Sequence, residues 1–62
     1  MTKAEAVTCF KTCILPEVLQ RYGEHDKPAV RECWNDFAEN IARTENADAR
    51  NWVFPRELAR WT

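Results

Sequence analysis

Gly23 is the only glycine in the chain, and the prolines are Pro16, Pro28 and Pro55. A sheet needs tight turns, and tight turns need residues that accept positive φ. One glycine cannot furnish a set of hairpins. β-branched residues, which favour strands, are few. The sequence therefore reads as all-α.

With 62 residues there is room for one small domain, spanning 1–62. Such a domain buries only about 60% of the surface its unfolded chain exposes. Hydrophobic residues make up 45% of the chain and the net charge is −1, so the composition is that of a folded protein rather than a disordered one. The near balance of charge argues against bulk nucleic acid or an anionic membrane as partner. No apolar h-region follows Met1-Thr2-Lys3-Ala4-Glu5-Ala6-Val7. The longest apolar runs, Cys13-Ile14-Leu15 and Trp52-Val53-Phe54, each end at a proline, far short of the roughly 20 residues of a membrane span. A cytoplasmic location is expected. The three cysteines are an odd count and are expected as thiols.

Thr2-Lys3-Ala4-Glu5 is a capping box and predicts a helix over about 3–22. Val7, Phe10, Ile14, Val18 and Tyr22 stay within an arc of roughly 120° at about 100° per residue. Leu15 and Leu19 widen that stripe. Pro16 disrupts the ladder: it lacks an N–H and clashes with the carbonyl of Thr12. The helix either restarts at Pro16 or runs through with a kink, and the unbroken phase of the stripe favours the kink. Gly23 predicts a left-handed C-terminal cap.

A second helix is predicted over about 27–43, with Asp26 as N-cap and Pro28 in the first turn. Its stripe is Val30, Cys33, Trp34, Phe37 and Ile41, bordered by Ala38 and Ala42. The polar segment 44–51 is a loop or a frayed extension, in which Asn46 or Asp48 could cap a turn. Pro55 then predicts a short helix over about 55–61, with Leu58 and Trp61 on one face. The short connection at 23–25 predicts an antiparallel helical hairpin with a short C-terminal helical arm. The expected core is Val7, Phe10, Ile14, Val18, Val30, Trp34, Phe37 and Ile41. Seven aromatics are a heavy load for such a hairpin. Either the arm folds over its own hairpin, or the arm or a second face packs on another copy; a homodimer is the expectation.

Three cysteines and His25 match the inventory of a structural zinc site, but no tight Cys-x₂-Cys knuckle is present. Cys33 belongs to the inward stripe, whereas Cys9 and Cys13 share another face and, with Ala6, would form a strip of small residues. No metal or cofactor is expected. His25 lacks an orienting third group for a Cys–His nucleophile, and the scattered carboxylates read as solvating charges. A single glycine cannot build a phosphate loop. No enzyme is expected. Arg43, Arg50, Arg56 and Arg60 interleave with Trp52, Phe54 and Trp61, but Glu45, Asp48 and Glu57 sit among them. That near-neutral balance favours a protein interface over nucleic acid. Trp52, Phe54, Arg56 and Trp61 are the candidate contact residues.

The stretches Ala6-Val7-Thr8-Cys9-Phe10-Lys11-Thr12-Cys13 and Glu32-Cys33-Trp34-Asn35-Asp36-Phe37 match no enzyme motif. In length, helical character and composition the chain resembles the small helical early-region accessory proteins of lambdoid bacteriophages. The resemblance implies a non-enzymatic accessory factor. Such a factor would modulate host physiology or the choice between lysis and lysogeny by contacting host or phage proteins. The expected function is thus a protein-binding regulator. The alternative is a small DNA-associated regulator that uses the late arginines.

Overall fold

The computed structural model of the chain describes residues 1–23 and 27–61, with the Trp61 side chain outside that set. The predicted Asp26 cap, and His25, lie outside the described residues. Among the described residues the chain is all-α and has no strand. The order is α1 (Lys3–Cys9), a π-helical segment (Phe10–Ile14), α2 (Leu15–Tyr22), α3 (Lys27–Thr44) and two 3₁₀ helices, Ala47–Asn51 and Arg56–Trp61.

The capping box at the start of α1 is formed. The Glu5 N–H donates to Thr2 Oγ1 at 3.2 Å, and the Thr2 N–H donates to Glu5 Oε1 at 2.8 Å. The Thr2 N–H bond holds the Glu5 carboxyl below the usual glutamate range.

Pro16 produces neither a break nor a simple kink. The helical path runs on, but the turn before the proline widens, and the Leu15 N–H reaches back five residues to the Phe10 carbonyl. A π turn relieves a ladder that proline cannot complete. It also changes the phase of the stripe. From the fully buried Phe10 the next buried residue is Leu15, five positions on, and Ile14 is only half-buried. Val18 follows in the core, while Tyr22, which the periodicity puts on the stripe, is 51% exposed.

α2 ends at Gly23, whose N–H donates to the Leu19 carbonyl at 2.8 Å. Its φ of 85° is positive, as expected, but ψ is 162°. This is the extended region open essentially to glycine alone, not the left-handed helical cap.

Rings from two helices meet at the centre. Phe10 stands edge-on to Trp34, with centroids 5.5 Å apart and planes at 79°. Phe37 lies 6.0 Å from both. Trp34 and Phe10 are fully enclosed, and Phe37 is half-buried at the margin. Val7, Val18, Val30 and Ile41 share the same core. So do Ala6, Leu15, Ala38, Ala49 and Leu58, which were not in the expected core set. Ala6 is therefore core rather than part of an outward strip with the cysteines.

The contacts between the first helical path and α3 run in reverse sequence order. The N-terminal ammonium lies 3.5 Å from Glu45, Phe10 meets Trp34 and Phe37, and Ile14, Val18 and Arg21 line one hollow with Cys33.

Segment 44–51 is not a frayed extension. After Thr44, Asn46 caps a 3₁₀ turn by accepting from the Asp48 N–H at 3.0 Å. Ala49 is then fully buried. The arm continues back along α3. Arg50 makes a paired contact with the Glu39 carboxylate at 3.2 and 3.3 Å. The Arg31 guanidinium sits 4.9 Å above the Phe54 ring. Pro55 precedes the last helix rather than opening it, and its carbonyl accepts from the Leu58 N–H at 3.1 Å. Leu58 is 0% exposed. The arm thus lies on its own chain's core.

Candidate functional site

The capped start of α1 and the last 3₁₀ helix bound a groove of about 500 Å³, lined by Lys3, Ala4, Val7, Thr8, Lys11, Arg56 and Glu57. Sequence spacing explains one wall. Residues 3, 4, 7, 8 and 11 recur on one helical face, so Lys3 and Lys11 flank Ala4 and Val7. The other wall exists only because Leu58 anchors the arm. With Leu58 enclosed, Arg56 and Glu57 stay exposed beside α1.

Three cations and one carboxylate surround an apolar floor here. No ion pair among the described residues involves Lys3, Lys11 or Arg56. The groove is thus an unneutralised positive site at which a negatively charged, partly apolar surface would be favoured.

Of the candidate contact residues whose side chains are described, Arg56 alone lines this groove. Trp52 and Phe54 are half-buried and pack against the core. Part of their surface is therefore committed within the chain, and the Phe54 face carries Arg31. The Trp61 side chain lies outside the described residues. Sequence reasoning missed Lys3 and Lys11. Their spacing of eight, on the face that also carries Ala4 and Val7, was the available signal, but it has meaning only once the arm supplies Arg56.

The thiols fall into two places. Cys9, half-buried, and Cys13, exposed, line a second open cavity with Ala4, Glu5, Thr8 and Thr12. Burial raises the Cys9 thiol pKa, and the neighbouring Cys13 raises it further. Cys33 is half-buried on α3; burial raises its thiol pKa first, then Asp36 and Glu32, against a smaller opposing effect of Arg21. Among the described residues no three His, Cys, Asp or Glu side chains gather as a metal site. Among them, too, no helix is long and apolar enough to cross a membrane.

No family model, curated protein or solved structure matches this chain.

Proposed function

We propose that this chain is a small non-enzymatic protein-binding regulator, of the kind that serves a phage or another mobile element as an accessory factor in the host cytoplasm. One observation carries the reading: the positive groove between α1 and the arm, with Lys3, Lys11 and Arg56 around Ala4 and Val7. Its lining offers charge and apolar contact, which suit recognition. Its occupant would be an acidic amphipathic helix of a partner protein. Carboxylates would meet the three cations, and small apolar residues would meet the floor. Binding would be stoichiometric and would block or redirect that partner.

The architecture behind this reading is an antiparallel helical hairpin closed by the C-terminal arm. The reverse order of contacts, from Met1–Glu45 to Phe10–Phe37, supports it. A homodimer belongs to the same proposal. It would draw on Val53, which is 73% exposed, and on the uncovered parts of Trp52 and Phe54.

The test is a titration of the purified chain with a designed acidic amphipathic helical peptide, beside its charge-inverted twin and a short DNA duplex. Binding of the acidic peptide, lost in Arg56→Glu while helicity is retained, is the expected result. Equal binding of the inverted peptide overturns the groove. Retardation of the duplex without peptide binding would move the assignment to the DNA-associated alternative, since phosphate contacts weaken steeply with salt. Light scattering over a concentration series reads the dimer as twice 7.3 kDa.

A further inference from the structure

Cys9 and Cys13 are one helical turn apart and open into the same cavity, with Ala4, Glu5, Thr8 and Thr12 around them. Cys9 is the last residue of α1, and Cys13 lies within the π segment. Thr8 and Thr12 turn their hydroxyls back onto the helix, donating to the Ala4 carbonyl at 3.2 Å and the Thr8 carbonyl at 2.9 Å. The Thr12 hydroxyl also lies 3.6 Å from Cys13 Sγ. The two threonines therefore border the thiols, and the Thr12 hydroxyl is hydrogen-bonded to Cys13.

Two outcomes are open to a thiol pair of this kind, and distances separate them. A disulfide needs Cβ atoms roughly 3.5–4.5 Å apart. Side chains one turn apart on a helix have Cβ atoms about 5–6 Å apart. A direct S–S bond would therefore unwind the segment that carries Phe10 into the core. A bridging metal ion asks less of the backbone. Two metal–thiolate bonds of about 2.3 Å, the zinc–sulfur value, span about 4.6 Å between sulfurs. That suits neighbouring turns without moving either Cα.

Ligand number then selects the ion. Zinc takes four protein ligands in a structural site, and no third His, Cys, Asp or Glu joins this pair among the described residues. An ion content with two thiolates is soft and monovalent, and thiolate ligands select copper(I) among biological metals. We propose that Cys9 and Cys13 form a two-thiolate site for copper(I). Loading involves no redox change. Both S–H bonds break, two protons leave to solvent, and two S–Cu bonds form. The charge at Cys9 and Cys13 then changes from zero to −1 overall, at an open surface where water can solvate it. Cys33 takes no part: it lines a different hollow, with Ile14, Glu17, Val18, Arg21 and Tyr22.

The test is an anaerobic competition between the full chain and a chromogenic copper(I) chelator, with mass spectrometry of the loaded protein. Wild type and Cys33→Ser should each withdraw one copper per chain. Cys13→Ser, at an exposed position that leaves the core intact, should weaken binding about 100-fold or more, beyond the cost of losing even an outer partner of a metal site. Cys9→Ser should do the same, with circular dichroism confirming that its helices persist. Three results would overturn the site: no withdrawal by wild type, unchanged affinity in Cys13→Ser, or one copper shared between two chains. Zinc binding of equal strength in a parallel titration would also overturn it, because a two-thiolate site should discriminate against an ion that takes four protein ligands.

Discussion

Leu58→Ala asks whether the arm closes the core in solution. Leu58 is 0% exposed, although it sits on a 3₁₀ helix of only two turns. Truncation removes three carbon groups from a fully enclosed place. At about 0.8 kcal/mol per buried group the transfer cost is about 2.4 kcal/mol. Cavity formation adds to this, but a surface-lying arm can partly collapse into the gap, so a total of about 3 kcal/mol is expected. A chain of 62 residues has a whole stability of roughly 3–9 kcal/mol. The variant should therefore lose a third or more of what holds it folded, with a melting temperature lower by roughly 12–24 °C. Urea unfolding followed by far-UV circular dichroism measures it, repeated over a range of protein concentrations. A cost below about 1 kcal/mol would mean that Leu58 is not enclosed, and the groove beside Arg56 would lose its second wall. A cost that grows on dilution would place the enclosure between chains instead of within one.

Three further outcomes can be stated. Gly23→Ala should destabilise the chain by about 1–3 kcal/mol, because φ of 85° with ψ of 162° strains any side chain even though nothing crowds the added methyl; an unchanged urea midpoint would refute that turn. Trp34 Nε1 is buried and meets no protein acceptor among the described residues. Trp34→Phe should then cost clearly less than the roughly 3–5 kcal/mol of Trp34→Ala, since it removes an N–H whose burial costs about 1–3 kcal/mol; equal costs would show that the N–H is satisfied. The Glu5 carboxyl has a folded pKa below its unfolded value, so its contribution is present at neutral pH and is lost as pH falls through the folded pKa. The melting temperature of Glu5→Gln relative to wild type should therefore converge on acidification, and a constant difference down to pH 2 would count against the capping box as the source.

The helices were legible because their signals are local. Thr2 and Glu5 needed only each other, and α3 carries Val30, Trp34, Ala38 and Ile41 on one unbroken period. The stripe of the first helix was misread at one point, and Pro16 is the cause. Counting at 3.6 residues per turn runs from Phe10 to Ile14, whereas the widened turn brings Leu15 inward. Periodicity assumes a constant rotation per residue; Pro16 marks where the ladder is disturbed, but not that the turn before it widens into a π turn. The arm was illegible for a different reason. Ala49 and Leu58 are buried in the shared core, yet a 3₁₀ helix of five or six residues has too few turns to display a face. The groove inherits both difficulties, because Lys3 and Lys11 come from a readable face and Arg56 from an unreadable one.

The placement of the arm also governs what such a small chain can present to a partner. Two helical paths and an aromatic tail hold more apolar surface than two helices can enclose by themselves. Laying the tail along α3 packs Trp52 and Phe54 against the core as a half-buried layer. Its anchors are apolar at depth and charged at the rim: Ala49 and Leu58 below, Arg50–Glu39 and Arg31–Phe54 above. The rim contacts are exposed and each contributes at most about 1 kcal/mol, so they set the arm's register more than its stability. Register is what the groove requires. A shift of the arm by one residue would exchange Leu58 for Glu57 or Ala59 in the core, and Arg56 would no longer face Lys3 and Lys11. Removing Arg50 or Arg31 should therefore change recognition at the groove more than it changes the unfolding midpoint, whereas Leu58→Ala changes both.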